Sequence, residues 1–175
     1  VGWTLKAFLE TFKNKKKQPA LILKTQSANA SIIDRDNILK RINEIRSTVK
    51  GKLPNIYLLH GEVHDEEINE LYNHDKVKAM ITFTKGEGYG RPLLEFTTVG
   101  KPIIASAWSG HVDFLHREFT TLVAGELHNV DKSAAQKGLI LEEGKWFQPS
   151  DASAGLALRD VFDNYKKYQE LAKRQ

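Results

Sequence analysis

Short apolar runs alternating with amphipathic stretches constrain this chain more than any other feature of its sequence. Ala20-Leu21-Ile22-Leu23, Ile56-Tyr57-Leu58-Leu59, Ala79-Met80-Ile81-Thr82-Phe83, Pro102-Ile103-Ile104-Ala105 and Thr120–Val123 are each four or five residues long. Runs of that length read as strands, and the continuous run at 20–23 predicts a strand buried on both faces. Helical spacing fills the intervals. Trp3, Ala7, Phe8 and Phe12 predict a helix over 3–13. Ile38, Ile42, Ile45 and Val49 predict another over 34–50, with Asp34 as its cap and Gly51 at its end. Ile68, Leu71 and Tyr72 mark a helix over 65–72, and Pro92 opens one that Gly100 closes. A short helix is expected over 112–115 and a long one over 151–172, while 124–149 has no periodicity and is expected to be irregular.

Strand and helix alternating with short connections is the signature of βαβ units. Right-handed crossovers make the expected fold an α/β, doubly wound parallel sheet with helices on both faces, residues 1–175 forming one domain. The 175 residues suffice for one domain with a core. Hydrophobic residues at 41% and charged residues at 27% exclude disordered and fibrous classes. The absence of cysteine excludes disulfide scaffolds, cysteine nucleophiles and thiolate metal sites. No apolar run approaches the about 20 residues of a membrane span, and 1–10 lacks a signal-peptide pattern, so a cytoplasmic location is expected. The chain opens on Val1 rather than Met, so upstream residues are expected.

Ligands of doubly wound sheets bind beyond the carboxyl ends of the strands. That rule selects Lys24-Thr25, His60-Gly61-Glu62, Lys85 to Gly90 and Ser106 to His111. The most informative stretch is Gly86-Glu87-Gly88-Tyr89-Gly90-Arg91-Pro92-Leu93-Leu94-Glu95. Its glycines allow close approach of backbone to a ligand, and Pro92 begins a helix whose free N–H groups face the loop. Such a loop cradles phosphate, and its two carboxylates can bind sugar hydroxyls or stabilise developing positive charge. A tight strand-to-helix turn with a glutamate favouring the helix dipole uses the same residues, and the glycines alone do not separate the two readings.

Other candidates are weaker. His60-Gly61-Glu62-Val63-His64 lacks the spacing of a helical zinc motif, and no metal ligands are assigned. Ser109, His111 and Asp113 lie within five residues, too crowded for a hydrolase triad. Residues 1–52 hold 12 Lys/Arg against 4 Asp/Glu, yet they lack a nucleic-acid-binding motif and read as solvated helix faces. Trp3, Trp146 and Phe147 read as core or edge aromatics.

Glu87 and Glu95, in the setting Glu87-Gly88-Tyr89-Gly90-Arg91-Pro92-Leu93-Leu94-Glu95, resemble the paired-glutamate motif of retaining GT-B glycosyltransferases of the family 4, or group 1, type. The resemblance extends through Thr98–Ser106 to Ser109-Gly110, to Leu5-Lys6-Ala7-Phe8, and to Leu58-Leu59-His60-Gly61. It implies a Rossmann-like C-terminal half of a GT-B enzyme, binding a nucleotide-diphosphate sugar and transferring its sugar, with retention, to an acceptor. It implies Glu87 against the donor sugar as catalytic residue and Glu95 on the ribose. It implies amides of Gly88, Tyr89, Gly90 and Arg91 near the diphosphate and sugar, and Gly61 to Val63 flanking the base. Lys24 is a candidate supplementary cation. No cofactor or metal is implied. The family's basic pair and acceptor domain lie upstream of Val1, so the chain alone is expected to be inactive. The alternative is a non-catalytic nucleotide- or phosphate-binding or interaction module.

Overall fold

A computed structural model describes residues 2–26, 30–131, 134 and 143–175. Val1, and 132–133 and 135–142 of the expected irregular stretch, lie outside the described residues. The chain divides into two compact units, Val1–His74 and Asp75–Gln175.

The first unit contains α1 (Gly2–Phe12), β1 (Leu21–Lys24), α2 (Ile32–Thr48), β2 (Ile56–Leu59) and α3 (Asp65–Asn73). Leu5, Phe8, Leu9 and Phe12 recur at helical spacing and form the buried stripe of α1. β1 and β2 pair in parallel, from Leu21 opposite Ile56 to Lys24 opposite Leu59. The run at 20–23 is not buried on both faces. Leu21 is buried, but Ile22 and its cross-strand partner Tyr57 are 44% and 56% exposed. An apolar run reports what each face carries, and the neighbouring layers decide which face is covered.

The cap of α2 is Ser31, not Asp34. The Ser31 hydroxyl accepts from the Asp34 N–H at 3.1 Å, which starts the helix earlier than expected. Asp34 instead reaches His60, at 2.8 Å between Oδ2 and Nε2. α2 closes on Val49, and Gly51, at φ +114°, serves the turn beyond it. A side chain at Gly51 would collide with Asn14, whose Oδ1 accepts from the Lys52 N–H at 2.8 Å.

The second unit contains β3 (Met80–Thr82), α4 (Arg91–Thr97), β4 (Ile103–Ser106), a 3-10 turn (Gly110–Asp113), β5 (Thr121–Val123), β6 (Gly125–Asn129), β7 (Lys145–Pro149), α5 (Asp151–Asp163) and α6 (Tyr165–Ala172). The parallel order is β3-β4-β5, and all four residues of the central β4 are buried. Leu93 and Phe96 of α4 and Ala154, Leu158 and Val161 of α5 are the buried residues of the flanking helices. The α/β class and parallel pairing are as expected.

Three local features differ from expectation. The 3-10 turn begins at Gly110 rather than 112. The stretch 124–149 holds an antiparallel pair, Gly125 opposite Pro149 through Asn129 opposite Lys145. Its strands carry too few apolar residues to alternate visibly, and Gly125 is required because a side chain there would overlap the Gln148 carbonyl. The long C-terminal helix breaks at Asn164, whose amide donates to Asp160 Oδ1 at 2.6 Å. Tyr168 also donates its hydroxyl to Asp160, so one carboxylate holds both sides of the break. Among the described residues, no helix is long and apolar enough to cross a membrane.

This junction predicts a pH signature. Partial burial, then the bond to Asp160 and its negative charge, push the Tyr168 hydroxyl up to about 12. A raised folded value means that the contribution to stability is complete below the ordinary tyrosine value of 10.0 and is lost as pH climbs to about 12. The bond from Tyr168 holds Asp160 below its ordinary value, so its contribution is lost as acid protonates it. In an NMR titration of the tyrosine rings, Tyr168 should ionise last, near 12. Asp160→Asn should bring it part of the way back, because burial remains. An unchanged titration in that variant would refute the clasp.

Candidate functional site

The loop between β3 and α4 owes its shape to a backbone that crosses it from another strand. Gly90 sits at φ +88° as the residue before α4, a conformation glycine adopts without steric cost. Its carbonyl accepts from the N–H groups of Leu93 and Leu94, at 2.8 and 3.1 Å. Those two donors are therefore consumed inside the helix. The free helical donors expected after Pro92 reduce to the loop itself, where the N–H groups of Gly88, Tyr89 and Gly90 have no acceptor among the described residues.

Ser109 and Gly110, just beyond β4, grip this loop. The Ser109 hydroxyl accepts from the Glu87 N–H at 3.0 Å and donates to the Glu87 carbonyl at 2.7 Å. The Gly110 N–H donates to the same carbonyl at 3.0 Å. The contact is close enough that a side chain at Gly110 would overlap the Gly88 carbonyl oxygen. Ser109 itself has φ +85°, in a region where a non-glycine residue is strained. Three hydrogen bonds between adjacent residues hold it there.

Glu87 is half-buried, with its Cγ packed beside Gly90. Glu95 lies one turn into α4, where its Oε1 meets the Arg91 Nε at 2.5 Å. Arg91 is 73% exposed, so this pair is worth only about 0.3–0.5 kcal/mol. Tyr89 is exposed, its ring centroid 5.4 Å from that of Phe114. The second unit thus carries Glu87, Gly88, Tyr89 and Gly90 on the loop and Arg91 and Glu95 on α4, with Glu87 against Gly90 and Glu95 against Arg91. Concavities along α2, at Asp36, Lys40 and Asn43, and beside β6 and β7, at Glu126 and His128, include neither Glu87 nor Glu95.

The remaining candidates belong to the first unit. Lys24 is exposed at the end of β1, Gly61 has φ +103° just after β2, and Val63 is half-buried. The two histidines flanking this segment have separate duties. His60 meets Asp34, while His64 precedes α3 and donates its backbone N–H to Glu67 Oε2 at 2.9 Å. The crowded Ser109, His111 and Asp113 are not a triad. The Ser109 hydroxyl serves Glu87, and the fully buried His111 holds the Ser106 carbonyl through Nε2 at 2.7 Å.

The family model described as group 1 glycosyl transferases matches residues 6–173. The chain belongs to that family. No curated protein matches it. As a group 1 glycosyltransferase domain, it has the α/β architecture of a Rossmann-like half of a GT-B enzyme and serves transfer of a sugar from a donor to an acceptor.

The sequence placed Ser109 and Gly110 in the segment beyond the fourth strand and in the family resemblance, without their contact to Glu87. Their grip on Glu87 spans 22 positions, so local spacing could not reveal it. The grip predicts unequal effects of two small changes. Gly110→Ala forces the loop to move and should destabilise the domain by about 1–3 kcal/mol. Ser109→Ala removes two hydrogen bonds without a clash and should cost about 1–2 kcal/mol. Denaturant unfolding measures both. An unchanged midpoint for Gly110→Ala would contradict the close approach.

Proposed function

We propose that this domain binds a nucleoside diphosphate sugar and supports retaining transfer of the sugar to an acceptor held by a further domain. The observation that carries the reading is the Glu87 turn, where a half-buried carboxylate adjoins three consecutive backbone donors without acceptors among the described residues. Backbone N–H groups preorganised in a glycine loop stabilise diphosphate oxygens without the reorganisation that water would require. The family match at 6–173 supports glycosyl transfer as the chemistry of the domain.

In the proposed reaction, the bond between the anomeric carbon and the diphosphate oxygen breaks. Its electron pair leaves with the diphosphate, where the amides of Gly88, Tyr89, Gly90 and Arg91 disperse the charge. The positive charge left on the sugar lies toward the Glu87 carboxylate. The acceptor hydroxyl bonds to the anomeric carbon on the face the diphosphate leaves, and its proton passes to the departing phosphate oxygen. Glu95 accepts hydrogen bonds from the ribose. Its exposed pairing with Arg91 is weak enough to yield, since a hydrogen bond to a charged group contributes about 1.5–3 kcal/mol. Within the first unit, Lys24 is proposed as a supplementary cation and Gly61 to Val63 as a base-flanking segment. No metal is needed in this scheme. The chain alone should not turn over, because positioning of an acceptor accounts for about 7–11 kcal/mol of a barrier.

Nucleotide binding tests the site directly. In an NMR titration with UDP, GDP and ADP, shifts should cluster on residues 86–91. Shifts confined to residues 1–52 would instead indicate nonspecific attraction of anions to the basic face.

The two glutamates should separate kinetically in the enzyme with its acceptor domain. An interaction made only in the transition state appears in kcat, and a uniform one in KM. Glu87→Gln should lower kcat by about 10²-fold or more, the scale for losing one electrostatic stabiliser. Glu95→Ala should chiefly raise the donor KM, by about tenfold. A reversed pattern would exchange their roles.

A further inference from the structure

Trp108 stands between two anchored positions and yet keeps 44% of its surface exposed. On one side, the Ala107 N–H donates to the Val123 carbonyl at 2.9 Å. On the other, Ser109 makes its two hydrogen bonds to the Glu87 backbone. The indole is also held as a plane. It lies within 8° of the Phe147 ring, with centroids 6.2 Å apart, and Phe147 is only 4% exposed. Phe147 is fixed in turn, its N–H donating to the Lys85 carbonyl at 2.9 Å just before the glycine loop. One aromatic pair therefore bridges the segment after β3, the segment after β4 and β7.

We infer that Trp108 is a stacking platform for the pyranose ring of a sugar bound at the Glu87 turn. A pyranose presents a face of C–H groups with its hydroxyls around the rim. An aromatic face is apolar and carries the negative part of the ring quadrupole, so it matches C–H groups and leaves the hydroxyls to polar partners. Glu87, tied to the residue next to Trp108, is such a partner. The plane is held by Phe147 before any ligand arrives, so binding does not have to order it.

The inference rests on the donor-site reading above, and the ring could come from the donor or from a saccharide acceptor. Calorimetric titrations with UDP, GDP, UDP-glucose and GDP-mannose, together with saturation-transfer NMR on methyl α-glucopyranoside, separate these cases. Trp108→Ala should weaken a hexose nucleotide about fivefold and leave the sugar-free nucleotide within about twofold, if the stacked ring is the donor's. Loss of saturation transfer to the methyl glucoside, with nucleotide affinities unchanged, assigns the ring to the acceptor. Trp108→Phe keeps an aromatic face against Phe147 and should restore most of the affinity, which a general folding defect would not allow. Equal affinities for every ligand in Trp108→Ala overturn the platform while leaving the nucleotide site standing. Failure of any nucleotide to bind the unaltered protein overturns the donor-site reading, and the platform with it.

Discussion

The grip of Ser109 and Gly110 on the Glu87 backbone is the interaction on which the candidate site depends. It ties the segment after β4 to the segment after β3, so two neighbouring strand ends act as one surface. Without it, a loop containing Gly86, Gly88 and Gly90 would have many accessible conformations and a large entropic cost of ordering. The buried β4 strand supplies the rigid base. Ile103 to Ser106 are all buried, and the Ser106 carbonyl also receives the imidazole of His111. The same short stretch thus fixes its own strand end, the 3-10 turn and the glycine loop.

What could be read from the sequence was what local spacing determines. The strand at 56–59, most of the one at 103–106 and the helix opened by Pro92 follow from short-range chemistry. The exposed face at Ile22 and Tyr57 did not, because covering a face is a property of layers far apart in sequence. The pair β6–β7 escaped because its order comes from cross-strand contacts such as Gly125 against Gln148. The break at Asn164 escaped because apolar spacing continues through it. Asp160 makes the break favourable by serving Asn164 and Tyr168 at once. At the site, the residue types were visible, but the consumption of the Leu93 and Leu94 donors by Gly90 was not.

Part of the basic character of the first 52 residues has ordinary surface partners. Lys13 pairs with Glu10 at 2.5 Å, and the Lys15 ammonium lies 5.7 Å from the centre of the Phe12 ring. Such lysines lay their aliphatic stems along apolar surface and keep their charge in water. A surface for single-stranded nucleic acid would arrange its charges with base-stacking aromatics. The exposed Tyr57 of this unit belongs to a strand face with Ile22.

Ser109 shows why the clamp uses serine rather than the residue its backbone angle favours. A φ of +85° would cost glycine nothing, and strain of this kind costs other residues about 1–3 kcal/mol. Glycine, however, has no hydroxyl, and the Ser109 hydroxyl accepts from the Glu87 N–H and donates to the Glu87 carbonyl, bridging the two peptides that flank that residue. At about 1 kcal/mol each, those two bonds offset the strain without leaving much surplus. A branched residue would keep the hydroxyl but add a methyl group in the same unfavourable backbone region. Serine is therefore the smallest side chain that can serve both the N–H and the carbonyl of Glu87, and the strain at its backbone is offset by the hydrogen bonds that its hydroxyl makes there.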